Sequence, residues 1–330
     1  MTSQLVLTRR RLIAAGIVGA ATLPLANLGR AQAWPSKPIK IICGYPPGGA
    51  TDLFARAYGE HIQQRTGQPV VVENKAGAGG IIAAQAVKAA EPDGYTLMFT
   101  IGTTMIQNRV LYKTLPYDPD KDFVLISSMS AGQLPFVVHK STGAETLKDF
   151  FEWAKKNKAT YGTYAAGSYA HIAIVELNKH FGTNVEAVHY RGEAPMWQDF
   201  NAGVIQAASG SYQAAKNILQ TGVGKAVAVP QRRSKPLPDV PTFMELGLNQ
   251  RIFTLNGFVC LVGPVGMPKE AVDRLSDLMV EGGKTERVQK LLETFGVDES
   301  AQGQEEFRKL YAAEKDDWIR LVQSLGLTPQ

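Results

Sequence analysis

"IKIICGYPPGGATDLFARAYGEHIQQ", residues 39–64, joins a short apolar run to an amphipathic one through two prolines and two glycines. IKIIC has the length and β-branched content of a buried strand, and LFARAYGEHIQQ carries apolar residues at helical spacing. An ordinary strand-to-helix turn needs far less specialised backbone. Pro46 and Pro47 stiffen the chain leaving the strand, Gly48 and Gly49 permit an approach that a side chain would block, and Thr51 or Asp52 can cap the helix. Amides at a helix start carry partial positive charge, which suits a small anion at the carboxyl end of a parallel strand. A plain tight turn would use the same residues, so this loop alone does not decide between the two.

Working outward, the same alternation repeats. PVVVEN (69–74) and YTLMFTIG (95–102) read as strands, with GGIIAAQAVKAA (79–90) as a helix between them. The rhythm resumes at PFVVHK (135–140) and runs through LKDFFEWAKKN, ATYGTYA, SYAHIAIVELNKHF, VEAVHY, APMWQDFNAG, VIQAAS and YQAAKNILQ to KAVAVP (225–230). After Pro241 one more strand-like run, FVCLVG (258–263), is followed almost entirely by helix. The pattern predicts an α/β protein of parallel sheets flanked by helices. Three further glycine- or hydroxyl-rich turns follow strand-like runs: TIGTTM (100–105), AAGSYAH (165–171) and ASGSY (208–212). Four such turns converging on one cleft favour the anion reading over the plain turn.

The first 33 residues read as an export signal. Arg9, Arg10 and Arg11 precede a mildly apolar run from Leu12 to Leu28, and AQA before Trp34 fits a cleavage site after Ala33. TRRRLI also resembles a twin-arginine signal, so twin-arginine and general secretory export both stay open. Gly16, Gly19, Pro24 and Asn27 interrupt the run, which argues against a permanent anchor. Removing the leader leaves 297 residues, enough for two lobes at about 150 residues each. The net charge of +5 includes four leader arginines; without them it is +1, which removes the case for a nucleic-acid partner. Cys43 and Cys260 lie in strand-like runs that one lobe could bring together in an oxidising compartment. Buried free thiols are the stronger reading, because no spacing suggests a disulfide framework or a metal site.

Seven segments, in order, carry a resemblance: PSKPIKIICGYPPGGATD, GQPVVVENKAGAGG, EPDGYTLMFT, LPYDPDKDF, YRGEAP, RRSKPLPDVPTFMELG and GPVGMPKEAVDRL. Together they make the mature chain resemble the extracytoplasmic solute receptors of tripartite tricarboxylate transporters, the TctC-like or Bug proteins. The resemblance implies a two-lobed, periplasmic-binding-protein-like fold of type II, each lobe a parallel or mixed sheet flanked by helices, with the cleft between the lobes. Lobe one would take residues 34–135 and 253–330, and lobe two residues 136–252. It also implies a periplasmic monomer that closes on a small carboxylated solute and docks transiently on integral-membrane permease subunits. The solute would be a di- or tricarboxylate or an aromatic carboxylate, bound without cofactor or metal.

Matched residue by residue, the resemblance places ligand contacts at Tyr45, Gly48, Gly49, Ala50, Thr51 and Asp52, and at Gly102, Thr103 and Thr104. From lobe two it adds Ala166, Gly167, Ser168, Tyr169 and His171, although His171 also fits a hydrogen-bonded packing role. Where family members commonly carry an Asp-Asn pair, often after Phe, this chain has Ser209, Gly210 and Ser211. That change makes an amino-acid ligand less attractive and a bulkier acid easier to admit. Arg191 could pair with a ligand carboxylate, or be neutralised by Glu193, which stands at a position where glycine is frequent.

Two other classes share parts of this pattern. A ligand-binding co-receptor for a membrane sensor would use the same cleft. An exported hydrolase would need an activated nucleophile, but there is no G-x-S-x-G elbow, and Ser168 and His171 have no third orienting group in the sequence. HExxH, GxGxxG, GxxxxGK[ST] and paired CxxC motifs are also absent.

Overall fold

The computed structural model describes residues 34–233, 235–255 and 257–330, so the export signal expected from the sequence lies outside the described residues. Strands β1 (Ile39–Cys43), β2 (Val70–Asn74), β3 (Thr96–Ile101) and β4 (Phe123–Ser130) come first in the chain. β5 (Phe136–His139), β6 (Thr160–Thr163), β7 (Glu186–His189), β8 (Ala207–Ser209) and β9 (Gly224–Ala228) follow. β10 (Phe258–Pro264) closes the set. They form two five-stranded sheets, ordered β2-β1-β3-β10-β4 and β7-β6-β8-β5-β9. The chain passes from the first sheet to the second between Ser130 and Phe136, and returns between Ala228 and Phe258.

Both sheets are mixed. β1 runs parallel to β2 and β3, and β6 parallel to β7 and β8. β10 lies antiparallel between β3 and β4, and β5 lies antiparallel between β8 and β9. β5 and β10 are the strands that enter each sheet directly after a crossing, which gives the mixed order where helix-connected neighbours run parallel. β4 carries no strand signal in the sequence reading, yet it forms an edge of the first sheet.

Helices cover the faces: α1 (Ala50–Thr66), α2 (Ile81–Lys88), α3 (Asn108–Leu111), α4 (Leu147–Ala154) and α5 (Tyr169–Phe181). α6 (Glu193–Asn201), α7 (Tyr212–Gln220), α8 (Lys269–Gly282), α9 (Glu286–Phe295) and α10 (Gln304–Gln323) complete them. Strand alternation sorts side chains between layers. Ile39 and Ile41 point to the cluster shared with α1 and α8, whereas Ile42 points to the opposite one with α2. That second cluster runs on through Phe258 and Leu255 to Phe136, whose ring stacks on Tyr161 at 5.1 Å. Burial of each such aromatic stabilises by roughly 1.5–3 kcal/mol. One continuous core therefore backs the crossing between the sheets.

Cys43 and Cys260 are both free and buried. β3 separates their strands, which puts them about 9–10 Å apart at ordinary strand spacing, too far for a bond.

Candidate functional site

Gly44 to Gly49 carry the chain from β1 to α1, with Pro46, Pro47, Gly48 and Gly49 exposed. Gly48 has φ +81°, and its N–H donates to Asp52 Oδ2 at 2.9 Å. Asp52, only 2% exposed, also accepts from Arg56 Nε at 3.1 Å and from Asn74 Nδ2 at 2.8 Å. Burial opposes its ionisation, but Arg56 and the Gly48 and Asn74 amides outweigh that and hold the carboxyl below its usual range. Asp52 and the Gly48 amide thus satisfy one another and shape the loop. Gly49 is the N-cap of α1, and Ala50 and Thr51 begin it, where amides have no intrahelical partner.

The Tyr45 hydroxyl lies 3.2 Å from Thr104 Oγ1 and donates to Gly79 O at 3.4 Å. Thr104 is fully buried: its Oγ1 accepts from Thr100 Oγ1 at 2.7 Å and donates to Gly79 O at 2.9 Å. Its hydroxyl holds three loops together. Gly102 and Thr103 open a π turn, Thr103–Gln107, in which Thr103 Oγ1 donates to Gln107 Oε1 at 2.5 Å.

From the second sheet, β6 leads through Tyr164, Ala165, Ala166 and Gly167 to Ser168, the N-cap of α5. Ser168 Oγ accepts from His171 N at 3.4 Å, and Gly167 N donates to His171 Nδ1 at 3.2 Å. Gly167 has φ +72°, and a Cβ there would sit 2.6 Å from Leu111 Cδ2 of α3. The positive φ favours glycine there, and a side chain would also have to push the end of Leu111 aside. The His171 ring faces His189 at 4.2 Å; burial, then the charge of His189, lowers its pKa to about 4. His171 is therefore uncharged at neutral pH, with Nδ1 already engaged.

Gly102 and Thr103 meet Ser168 and Tyr169 across one cavity of about 110 Å³. Tyr164, Gln107, Ile101, Ile106, Ala131, Leu134, Gly257, Phe258 and Trp318 line the rest. Tyr169 is 6% exposed, and its hydroxyl has no hydrogen-bond partner among the described residues. That hydroxyl is itself enclosed, so Tyr169 meets the cavity with other atoms and leaves an unpaired donor inside the core. Tyr45, Thr104 and Asp52 brace the loops behind this surface, and Ala166 and Arg191 are exposed outside it. Ser209 and Gly210 are buried, Gly210 against Trp197 and Met196, while Ser211 caps α7. Glu193 does not neutralise Arg191: its carboxylate accepts from Ser211 N at 2.8 Å and from Ser211 Oγ at 2.6 Å. Burial raises the Glu193 pKa, and the Ser211 bonds oppose that rise.

Sequence reasoning missed Tyr164, Gln107, Phe258 and Trp318. Tyr164 had a signal, an aromatic at the end of a strand before a glycine-bearing turn; Trp318, deep in α10, had none. A wider groove of about 1090 Å³ between α7 and α9 carries both signs of charge and none of the expected residues. Among the described residues, no group of three or more His, Cys, Asp or Glu is placed to hold a metal ion.

A family model described as the tripartite tricarboxylate transporter family receptor matches residues 54–327. A protein of Pseudomonas sp. strain P51, "UPF0065 protein in tcbD-tcbE intergenic region", is 31% identical and covers 95% of this chain and 94% of its own. A solved structure titled "Structure of a periplasmic transporter" aligns with a TM-score of 0.77 at 34% identity, covering 88% of this chain and 98% of that one. Another, R. palustris Rpa4515 with adipate, gives 0.79 at 26% identity and covers 90% and 100%. With its two mixed sheets and its match over most of the chain, this protein belongs to the tripartite tricarboxylate transporter receptor family.

Proposed function

We propose that this receptor captures a small carboxylated solute in the periplasm and hands it to membrane permease subunits. The observation that carries the reading is the cavity where Gly102 and Thr103 meet Ser168 and Tyr169. The lobes would be residues 34–135 with 253–330, and residues 136–252, closing about the two crossings between the sheets. Gln107, Ser168 and Tyr164 line the cavity and supply side-chain donors for the acid group, beside the amides that open the π turn. Three or four such bonds to a charge, at about 1.5–3 kcal/mol each, reach the roughly 8 kcal/mol of micromolar binding. The adipate seen in the R. palustris relative fits this ligand class. Ser168 and His171 point to binding and not to turnover: the Ser168 oxygen caps α5, and His171 Nδ1 faces the Gly167 amide. Among the described residues no helix is long and apolar enough to cross a membrane.

A thermal-shift screen over mono-, di- and tricarboxylates, aliphatic and aromatic, tests the reading. A ligand at 100 times its Kd adds about 2.7 kcal/mol of stability. A set of carboxylates with no member that raises Tm would contradict it.

A further inference from the structure

The cavity has a polar side from each sheet, and the two sides differ in what they offer. On the second-sheet side are Ser168 and Tyr164, both bearing hydroxyls. A hydroxyl donates or accepts as its neighbour requires, so that side takes either kind of group. On the first-sheet side are Thr103 and Gln107, at the two ends of the π turn. Thr103 Oγ1 donates to Gln107 Oε1 at 2.5 Å, which spends the acceptor of the Gln107 amide. The amide nitrogen has no partner among the described residues and, unlike the Tyr169 hydroxyl, is not sealed off. Since Gln107 is 7% exposed and lines the cavity, its N–H groups open onto that space. The turn that carries it is pinned from behind. Thr104 O accepts from the Tyr117 hydroxyl at 2.6 Å, and Asn108, fully buried, donates from Nδ2 to Gly79 O at 3.0 Å.

We infer that Gln107 is a specificity-determining residue of this cavity: Thr103 holds its amide with the nitrogen inward, so that side takes an acid group and refuses an ammonium. The inference rests on the carboxylate reading proposed above. An acid oxygen meets the Gln107 N–H donors, whereas an ammonium would set donor against donor and leave both without a partner. Among the described residues no Asp or Glu lines the cavity, so an ammonium finds no charge there to compensate it. The walls of Ile101, Ile106, Leu134 and Phe258 offer it no side-chain acceptor either. Were the amide free to turn over, its oxygen would serve an ammonium well; the Thr103 hydroxyl opposes that turn by holding the oxygen. Thr103 is therefore a positioning residue, and Gln107 the one that meets the solute.

Calorimetric titration of matched pairs on the full mature protein tests this: adipate against ε-aminocaproate, and terephthalate against para-aminomethylbenzoate. Within a pair, one acid group is exchanged for an ammonium-bearing group on the same body. Gln107→Leu removes the donor that both solutes use, so both should weaken about tenfold at an unchanged ratio. Gln107→Glu keeps an acceptor for Thr103 but puts a charged acceptor where the nitrogen stood. It should weaken the diacid about tenfold or more and spare its aminated partner, which turns its ammonium to that side. Thr103→Val keeps the shape and frees the amide, and should shift the ratio the same way by about threefold. A merely structural role would lower both members of a pair together in every variant. Undiminished diacid binding in folded Gln107→Leu, or an unchanged ratio in folded Gln107→Glu, overturns the inference and leaves the carboxylate reading standing. An unchanged ratio in folded Thr103→Val overturns the role of Thr103. Failure of all four solutes to bind the wild type overturns the carboxylate reading, and this inference with it.

Discussion

Gly167 sets how near the loops of the two sheets come, since the first atom of any side chain there would meet Leu111 at 2.6 Å. Gly167→Ala should destabilise the fold by about 1 kcal/mol through its positive φ and weaken solute binding about tenfold by holding the loops apart. Adding Leu111→Ala should restore much of the affinity but not the stability, and calorimetry with urea denaturation separates the two. Asp52 acts on the opposite loop and in another way. Its carboxylate receives a backbone amide, a guanidinium and a side-chain amide while 2% exposed. Asp52→Asn turns an acceptor into a partial donor among donors and should cost about 3 kcal/mol in urea denaturation. A loss below about 1 kcal/mol would show that the loop holds its shape without this network. Part of this was legible: the sequence marks Gly48, Gly49 and Asp52 as special, but not that Asp52 spends its bonds inward. That depends on Asn74, which β2 places beside the loop from 22 positions away.

Among the elements, the early βα alternation is readable because β1, β2 and β3 are short runs dominated by apolar residues, many of them β-branched, with glycine or proline close by. β4 is harder to read, because its apolar start, Phe123 to Ile126, gives way to Ser127, Ser128 and Ser130. The fold satisfies Ser127 through a partner no local window contains: its hydroxyl donates to Gln302 O at 2.6 Å. Trp318 reaches the cavity from α10 by the same kind of distant packing. The α5 start has a titration of its own. Folded His171 has a pKa of about 4, below the ordinary 6.5, because burial and His189 disfavour its charge. The unfolded chain therefore takes up a proton first as pH falls, and stability is lost between about pH 6.5 and pH 4. The full effect is on the order of 3 kcal/mol. His171→Asn should flatten that part of the stability profile in urea titrations at pH 7 and pH 4.5. An equal slope in both proteins would assign the acid sensitivity to other groups.

At the scale of the whole molecule, two mixed sheets share one core that passes through Phe258, Leu255 and Phe136. The chain crosses between them by one short connection, between Ser130 and Phe136, and one long one, between Ala228 and Phe258; closure about those crossings would leave both ladders intact. Saturation with a bound carboxylate should shrink the radius of gyration in X-ray scattering, and unchanged dimensions would argue against closure. The central claim concerns the cavity between Gly102, Thr103, Ser168 and Tyr169, and Ala131 offers direct access to it. Ala131 lines the cavity from an exposed position on the crossing, so Ala131→Trp fills the space while leaving both sheets intact. Calorimetric titration of the best carboxylate against wild type and Ala131→Trp is the decisive measurement. The account predicts one solute bound per wild-type chain and at least about a tenfold loss in the variant; undiminished binding in a folded Ala131→Trp would place the solute elsewhere and contradict it.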